Sequence, residues 1–215
     1  VRRTSRDIWN EWLGKITVKG GPEDTRAKFY TDLWHALLGR HKLDDISGDY
    51  PSYMGPRKPG EPALEVRTVP MDEKGKPKFH MYNSDAYWLT MWNLNILWGL
   101  GWPELLDEFA ACLVQNEKDG GRLPRGPSAG GYTGIMTGCP ATSLITATWQ
   151  KNLLTKVDAD TAYDSMKASM PLQLPERPSS DPPRVGVAVQ GAFEYWALAQ
   201  MAEELGHPQD AASWQ

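Results

Sequence analysis

The sequence predicts a mainly all-α protein built as an array of α/α hairpins. Apolar residues recur every three or four positions through most of the chain, which is the spacing of one helix face. Segments rich in Gly and Pro separate these stretches, and short connections alternate with long ones. One long irregular insertion, residues 40–84, interrupts the helical pattern.

The first two helices are predicted over Ser5–Leu13 and from Pro22 to about Gly39. Ser5 is a residue type favoured at helix N-caps, and the apolar residues after it fall on one face. The second segment begins Pro22-Glu23-Asp24, where Pro suits the first turn and the acids favour the positive end of the helix dipole.

The insertion contains a candidate β-hairpin. Residues 64–69 and 78–82 flank the turn sequence Asp72-Glu73-Lys74-Gly75. Two extended runs around such a turn predict a small hairpin in the 60–82 region.

The helical pattern resumes after the insertion and continues close to the end of the chain. A loop with five prolines, residues 171–183, precedes the last helix, and Gly206 with Pro208 beyond it is a typical stop. The predicted helices are Asp85–Leu100, Pro103–Asn116, Pro140–Leu154, Asp158–Met170 and Val185–Leu205.

The composition disfavours a nucleic-acid partner and a membrane span, and it favours a carbohydrate partner. The net charge is −4, from 23 basic and 27 acidic residues without a basic stripe, so we expect no nucleic-acid partner. No apolar run is long enough to span a membrane. Ten tryptophans point mildly to carbohydrate, because sugar faces stack on aromatic rings. The oligomeric state is left open.

The cysteines and the chain ends give two further expectations. Cys112 and Cys139 are predicted to be free thiols, with a disulfide between them as the open alternative. The chain opens without an initiator Met or an apolar leader and ends within a helical pattern. We therefore expect it to be part of a larger protein.

Residues 119–138 carry the strongest functional signal. The segment contains seven glycines and two prolines directly after a helical stretch. Glycine lets a backbone approach a ligand closely, and irregular segments of this length are usually functional loops. The alternative, a flexible linker, is disfavoured by the apolar residues Leu123, Tyr132, Ile135 and Met136.

Three segments of the chain carry a family resemblance. The Gly-rich segment is similar to GG-x-LP-x-W-E-x-A-G-x-x-TG-x-M-x-G, the stretch Trp9–Gly21 to WN-x-x-L-x-x-I-x-V-x-GG, and Phe29–Leu38 to FYTALYHALL. These are patterns of glycoside hydrolase family 92, the calcium-dependent inverting α-mannosidases. The resemblance implies an (α/α)6 toroid, with residues 1–21 as the entry to the helical domain and residues 22–215 as an incomplete catalytic-type domain. It also implies an extracytoplasmic location, periplasmic or secreted.

The chain departs from the family at its chemistry. The family's general acid falls at Pro127, and the sugar-binding Asp and Arg of its WDTFR motif fall at Leu89 and Trp92. The family's catalytic base and its calcium ligands are expected beyond Gln215. Calcium is thus an implied cofactor without ligands in this chain, and the catalytic residues are not assigned.

The candidate sugar-binding residues come from one helix and from the Gly-rich segment. In a continuous helix Asp85–Leu100, four residues at i, i+3, i+7 and i+10 would share a face. They are Asp85, Trp88, Trp92 and Asn95. Burial of both tryptophans in the core is the alternative, and the sugar role rests on family analogy. The Gly-rich segment adds Arg125 and Tyr132.

These observations favour a glycosidase acting on α-mannoside-like sugars as the full-length protein, with this chain alone inactive. Three explanations of Pro127 stay open: another residue supplies the acid, the leaving group needs no proton, or hydrolysis is lost. The alternative from another class is a carbohydrate-binding or interaction module on a degenerate toroid, and a purely structural helical array is third.

Overall fold

The computed structural model describes residues 1–52, 65–83, 87–128, 131–132, 136–173 and 185–214. The protein is mostly helical with small antiparallel sheets, which confirms the predicted fold class. Two compact units make up the chain, residues 1–41 and residues 42–215. None of the helices in the described ranges is long and apolar enough to cross a bilayer.

The first unit contains two helices, α1 (Arg2–Leu13) and α2 (Glu23–Leu38). Trp9 of α1 meets Trp34 of α2 edge to face, with ring centroids 6.1 Å apart. The Tyr30 hydroxyl donates to the Ile16 carbonyl at 3.0 Å and accepts from the Val18 amide at 3.2 Å. These contacts fasten the connection between the two helices onto α2.

The second unit has a helical body and two small sheets. Helix α4 packs against α3, α5 and α6, while α7 packs against α5, α6 and α8. The elements are β1 (Asp49–Ser52), β2 (Glu65–Thr68), a 3-10 helix (Tyr87–Trp92), α3 (Leu94–Gly101), α4 (Pro103–Gly120), β3 (Pro127–Ser128), β4 (Gly131–Tyr132), α5 (Pro140–Gln150), α6 (Ala159–Gln173), α7 (Val185–Glu204) and α8 (Pro208–Ser213).

The core of this unit lies around α4, whose apolar residues are almost all buried. The Phe109 ring contacts Trp98 and Tyr82, at centroid distances of 5.1 and 5.9 Å. Cys112 and Cys139 are both free and buried, which confirms two free thiols. Burial raises the pKa of each thiol to about 12, so both stay protonated and unreactive at neutral pH.

The predicted continuous helix Asp85–Leu100 is wrong in its middle. Residues 87–92 form a 3-10 helix, and α3 begins only at Leu94, after non-helical backbone at Asn93. A 3-10 helix has three residues per turn, so Trp92 lines up with Leu89 and not with Trp88. The single face predicted for the two tryptophans is therefore split.

The predicted hairpin forms only around its turn, where Met71 and Pro77 make an isolated antiparallel bridge, and its predicted strands do not pair. Strand β2 pairs antiparallel with β1, with Tyr50 opposite Arg67, and not with residues 78–82. The turn at 72–75 does form, since the Gly75 amide donates to the Asp72 carbonyl at 3.0 Å. Pro51 disfavours a strand because proline has no backbone N–H to donate. A two-stranded sheet has only edge strands, however, and proline is tolerated there.

A buried carboxylate joins this sheet to the end of α4. Asp119, with a side chain only 1% exposed, accepts from the Tyr50 hydroxyl at 2.8 Å and from Arg67 Nη1 at 3.0 Å. Ser52 Oγ and Gln115 Nε2 complete the set at 3.3 and 3.0 Å. Because Asp119 directly precedes Gly120, this network fixes the start of the Gly-rich segment.

We expect Asp119→Ala to lower the free energy of unfolding by roughly 2–4 kcal/mol, because the buried Tyr50 hydroxyl loses its acceptor and Arg67 loses its partner. Chemical denaturation measures the change. Asp164→Ala, at an exposed position of α6, is the matched control and should change stability by less than about 0.5 kcal/mol. Equal effects of the two substitutions would contradict this role of Asp119.

Candidate functional site

The Gly-rich segment has ordered structure in its described part. Strands β3 and β4 pair antiparallel, with Pro127 opposite Tyr132 and Ser128 opposite Gly131. Leu123 is fully buried, and its amide donates to Ser169 Oγ of α6 at 2.7 Å. These contacts favour a loop with a defined shape over a flexible linker.

Two side chains of α7, Gln190 and Glu194, hold the end of the segment; we call this pair the α7 clamp. Gln190 Nε2 donates to the Thr137 carbonyl at 3.0 Å, and the Thr137 hydroxyl donates back to Gln190 Oε1 at 3.2 Å. The Cys139 amide donates to Glu194 Oε2 at 2.6 Å. Gln190 Nε2 also donates to Glu194 Oε1 at 3.1 Å, which joins the two halves of the clamp.

Gly138 lies between these contacts, and only glycine fits there. Its φ is +86°, a conformation that L side chains rarely adopt. A Cβ at this position would lie 2.2 Å from Gln190 Nε2 and 2.7 Å from Glu194 Oε1. The side chains of the α7 clamp therefore pack directly against the backbone of Gly138.

Glu194 is a fully buried carboxyl, with 0% of its surface exposed. Burial raises its pKa from 4.5 to about 7, although the Cys139 amide, Gln190 and the nearby Arg125 charge act to lower it. The sequence analysis missed this residue. The sequence did contain a signal for its burial, because Glu194 lies on the same face of the helix as the buried residues Leu198 and Met201.

The predicted sugar-binding residues have very different environments. Trp92 is 75% exposed, Trp88 is half-buried, and Asn95 is 9% exposed. Asp85 and the side chain of Tyr132 lie outside the described residues. The 3-10 helix exposes Trp92 together with Leu89, which is 56% exposed. Their binding role stays a prediction.

Two of the predicted residues approach neighbouring positions of α7. Asn95 lines a cavity together with Phe193, and the charge of Arg125 lowers the pKa of Glu194, the next residue. Helix α7 thus has residues near α3 and near the Gly-rich segment, and the shared sugar site stays a prediction.

The residues that the structure describes do not fit a metal centre. In the part of the chain that the structure describes, no group of three or more His, Cys, Asp or Glu side chains is placed to hold an ion. Calcium therefore remains an expectation from the family resemblance, and no chemical step here depends on it.

Comparison with known families decides the classification. The family model of the glycosyl hydrolase family 92 catalytic domain matches residues 1–215. The chain belongs to glycosyl hydrolase family 92. No curated protein sequence is significantly similar to it.

Solved structures of family 92 members share its fold. One is an inverting mannosidase from Bacteroides thetaiotaomicron VPI-5482, with TM-score 0.75 and 23% identity over 99% of this chain and 29% of that chain. Another is an α-mannosidase from Bacteroides thetaiotaomicron in complex with mannoimidazole, with TM-score 0.82 and 20% identity over 99% of this chain and 27% of that chain. The chain thus spans less than a third of the length of these relatives.

The family resemblance places functional residues at two described parts of this chain, the 3-10 helix and strand β3. Leu89 and Trp92 stand where the resemblance places the sugar-binding Asp and Arg, and both are exposed on one side of the 3-10 helix. Pro127, where the resemblance places the general acid, lies in strand β3. The exposed side of the 3-10 helix thus carries two apolar residues, Leu89 and Trp92.

Gly138→Ala should destabilise the fold much more than Gly121→Ala. Both glycines have positive φ, +86° and +71°, but nothing lies within 4 Å of a Cβ at Gly121. We expect about 1–2 kcal/mol for Gly121→Ala, from backbone strain alone, and at least about 2 kcal/mol more for Gly138→Ala, which also breaks the α7 clamp. Urea unfolding of the two variants side by side measures the difference in the free energy of unfolding. Similar losses of stability would show that Gln190 and Glu194 can move away from a Cβ at position 138.

Glu194 should make stability depend on pH. A carboxyl whose folded pKa is raised holds its proton more tightly in the folded state, so its stabilising effect is complete below pH 4.5 and is lost as the pH rises to about 7. The shift corresponds to about 3 kcal/mol. Relative to Glu194→Gln, which keeps an acceptor for the Cys139 amide, the natural chain should lose about this much stability between pH 4.5 and 8. Parallel pH profiles of the two proteins would contradict the raised pKa.

Proposed function

We propose that the full-length protein carrying this chain hydrolyses α-mannosides with inversion at the anomeric carbon. The family match over residues 1–215 supports the reaction class. The observation that carries the site is Trp92, whose ring is 75% exposed at a position where the resemblance places a sugar-binding residue. An exposed indole offers a flat apolar face of the kind that stacks on a pyranose ring.

The acid of such a reaction is missing from its expected place. An inverting glycosidase uses a general acid and a general base roughly 6.5–9.5 Å apart. Pro127 has no titratable group. Glu194, the buried carboxyl nearest the end of the Gly-rich segment, has its oxygens bound to the Cys139 amide and Gln190, so it is not placed to protonate a leaving group.

We therefore propose substrates whose leaving group departs as a stable anion, such as a mannosyl phosphate. Water adds to the anomeric carbon, the bond from that carbon to the phosphate oxygen breaks, and phosphate takes the bonding electrons. The proton of the attacking water goes to a base that the resemblance places outside this chain. No proton is needed at the Pro127 position. On the resemblance alone, we propose a periplasmic or secreted location.

Binding without hydrolysis is the second candidate. It is favoured by the same replacements, because Leu89 and Trp92 remove charged groups while leaving an apolar exposed face. Such a module would hold a glycan on Trp92 without cleaving it.

The leaving group should decide the rate of the full-length protein. With calcium present, we expect turnover of mannosyl phosphate or mannosyl fluoride at least about 10²-fold faster than that of mannobiose, because general acid help is worth roughly 10²–10⁴-fold. The 215-residue chain alone should turn over none of them. Equal, robust turnover of all three would show that another residue supplies the acid. Glycan binding without any turnover would show a binding module.

Trp92→Ala tests the sugar site in either case. We expect glycan affinity to fall by roughly tenfold or more with an unchanged unfolding midpoint, since the ring is mostly exposed. Trp12→Ala, in the first unit, is the control and should leave affinity unchanged. Full affinity of the Trp92 variant would remove Trp92 from the site.

A further inference from the structure

Two helices of the second unit, α3 and α7, leave large apolar side chains open to solvent. On α7 these residues recur at i, i+4, i+8 and i+11, which is the spacing of one helix face. On α3 they are four positions apart and also share a face. Each of the six side chains is between 42% and 82% exposed. We call them the apolar surface: Ile96, Leu100, Val185, Val189, Phe193 and Trp196.

The two groups of residues meet. Ile96 of α3 and Phe193 of α7 line the same small cavity, so the two helices come together at these residues. The rings of Phe193 and Trp196 stack, with centroids 6.0 Å apart. Single exposed apolar residues are normal on a protein surface, whereas a contiguous group of them marks an interaction site.

Helix α7 is apolar on both of its faces. Its other face, with Leu198 and Met201, is buried where α7 packs against α5, α6 and α8. The one charged residue between positions 185 and 196 is Glu194, which is fully buried, and α3 contains no charged residue. A helix that is apolar all round belongs in the interior of a protein. Both helices therefore need a cover over the apolar surface.

The relatives indicate where such a cover comes from. The family 92 structures match 99% of this chain, but this chain covers only 29% and 27% of theirs. More than two thirds of each relative thus lies outside the matched part. A segment of the same polypeptide has a high effective concentration at this surface, so it covers the surface more readily than a separate molecule. A membrane is disfavoured, because helices that bind membrane surfaces carry Lys and Arg beside their apolar face and α7 has neither.

We propose that, in the full-length protein, a mainly apolar segment from outside these 215 residues packs on the apolar surface and makes α3 and α7 interior helices. Trp92 and Leu89, on the 3-10 helix, are not part of this surface. The inference rests on the same full-length protein as the proposed function but not on its reaction, since no step of hydrolysis uses the six residues.

Cysteine labelling of the full-length protein tests whether the apolar surface is covered. Val189→Cys places a thiol on this surface, and Glu203→Cys, at an exposed charged position of the same helix, is the control. We expect a maleimide to modify the folded protein at least about tenfold more slowly at position 189 than at position 203, because a covered site reacts only when the structure opens. In denaturant the two rates should be equal. Peptide mass spectrometry assigns the modification to each site.

Light scattering on the same samples identifies the cover. Protection of position 189 in a monomeric protein, at every dilution, supports the proposal. Equal labelling rates at positions 189 and 203 overturn it. Protection that disappears when a dimer is diluted also overturns it and shows that a second copy is the cover. Protection that requires vesicles containing phosphatidylserine overturns it as well and shows a membrane surface.

A charge on the apolar surface gives a second measurement. Val189→Glu should lower the urea midpoint of the full-length protein, because a covered carboxylate has no partner there. Val66→Glu, at a similarly exposed valine of β2, is the matched control and should leave the midpoint unchanged. An unchanged midpoint for Val189→Glu overturns the proposal. Neither measurement follows hydrolysis, so failure of this inference and failure of the proposed function are distinguishable.

Discussion

The Gly-rich segment is held at both ends by buried acidic side chains, and the candidate site depends on this arrangement. Asp119 fixes the start by accepting from β1, β2 and α4, and Glu194 fixes the end by accepting from the Cys139 amide. Glycine-rich backbone has high conformational entropy in the unfolded chain, so it needs strong local contacts to keep one shape. Acidic side chains satisfy this need well, because each of their oxygens can accept hydrogen bonds from several donors.

The helices were predictable because burial on one face leaves a period in the sequence. Helix α2 is a good example, since Pro22 and Gly39 mark its two ends as the sequence predicts. The 3-10 helix at Tyr87–Trp92 was not predictable in this way, because apolar residues three or four apart fit both helix types. The β1–β2 pairing was hidden as well, since a contact between distant segments leaves no local period.

The candidate site was predictable only in part. The sequence predicts Asn95 and Arg125 as site residues, and in the structure both lie near α7. Asn95 is buried, however, whereas Trp92 is exposed. Glu194 escaped attention because its partner in the Gly-rich segment is the Cys139 backbone amide, and a backbone contact across 55 residues cannot be inferred from residue types. The family resemblance proposes which positions bind sugar, and the structure adds the exposure of Trp88, Trp92 and Asn95.

The contact between Gly138 and the α7 clamp also limits how this sequence can vary. A side chain at 138 would occupy the place of the Gln190 amide, so the two positions cannot change independently. Homologues that keep a long amide at 190 should retain glycine at 138, whereas those with a small residue at 190 are free of the steric part of that requirement. Covariation between these two positions would thus record, across the family, which members close their glycine-rich loop in this way.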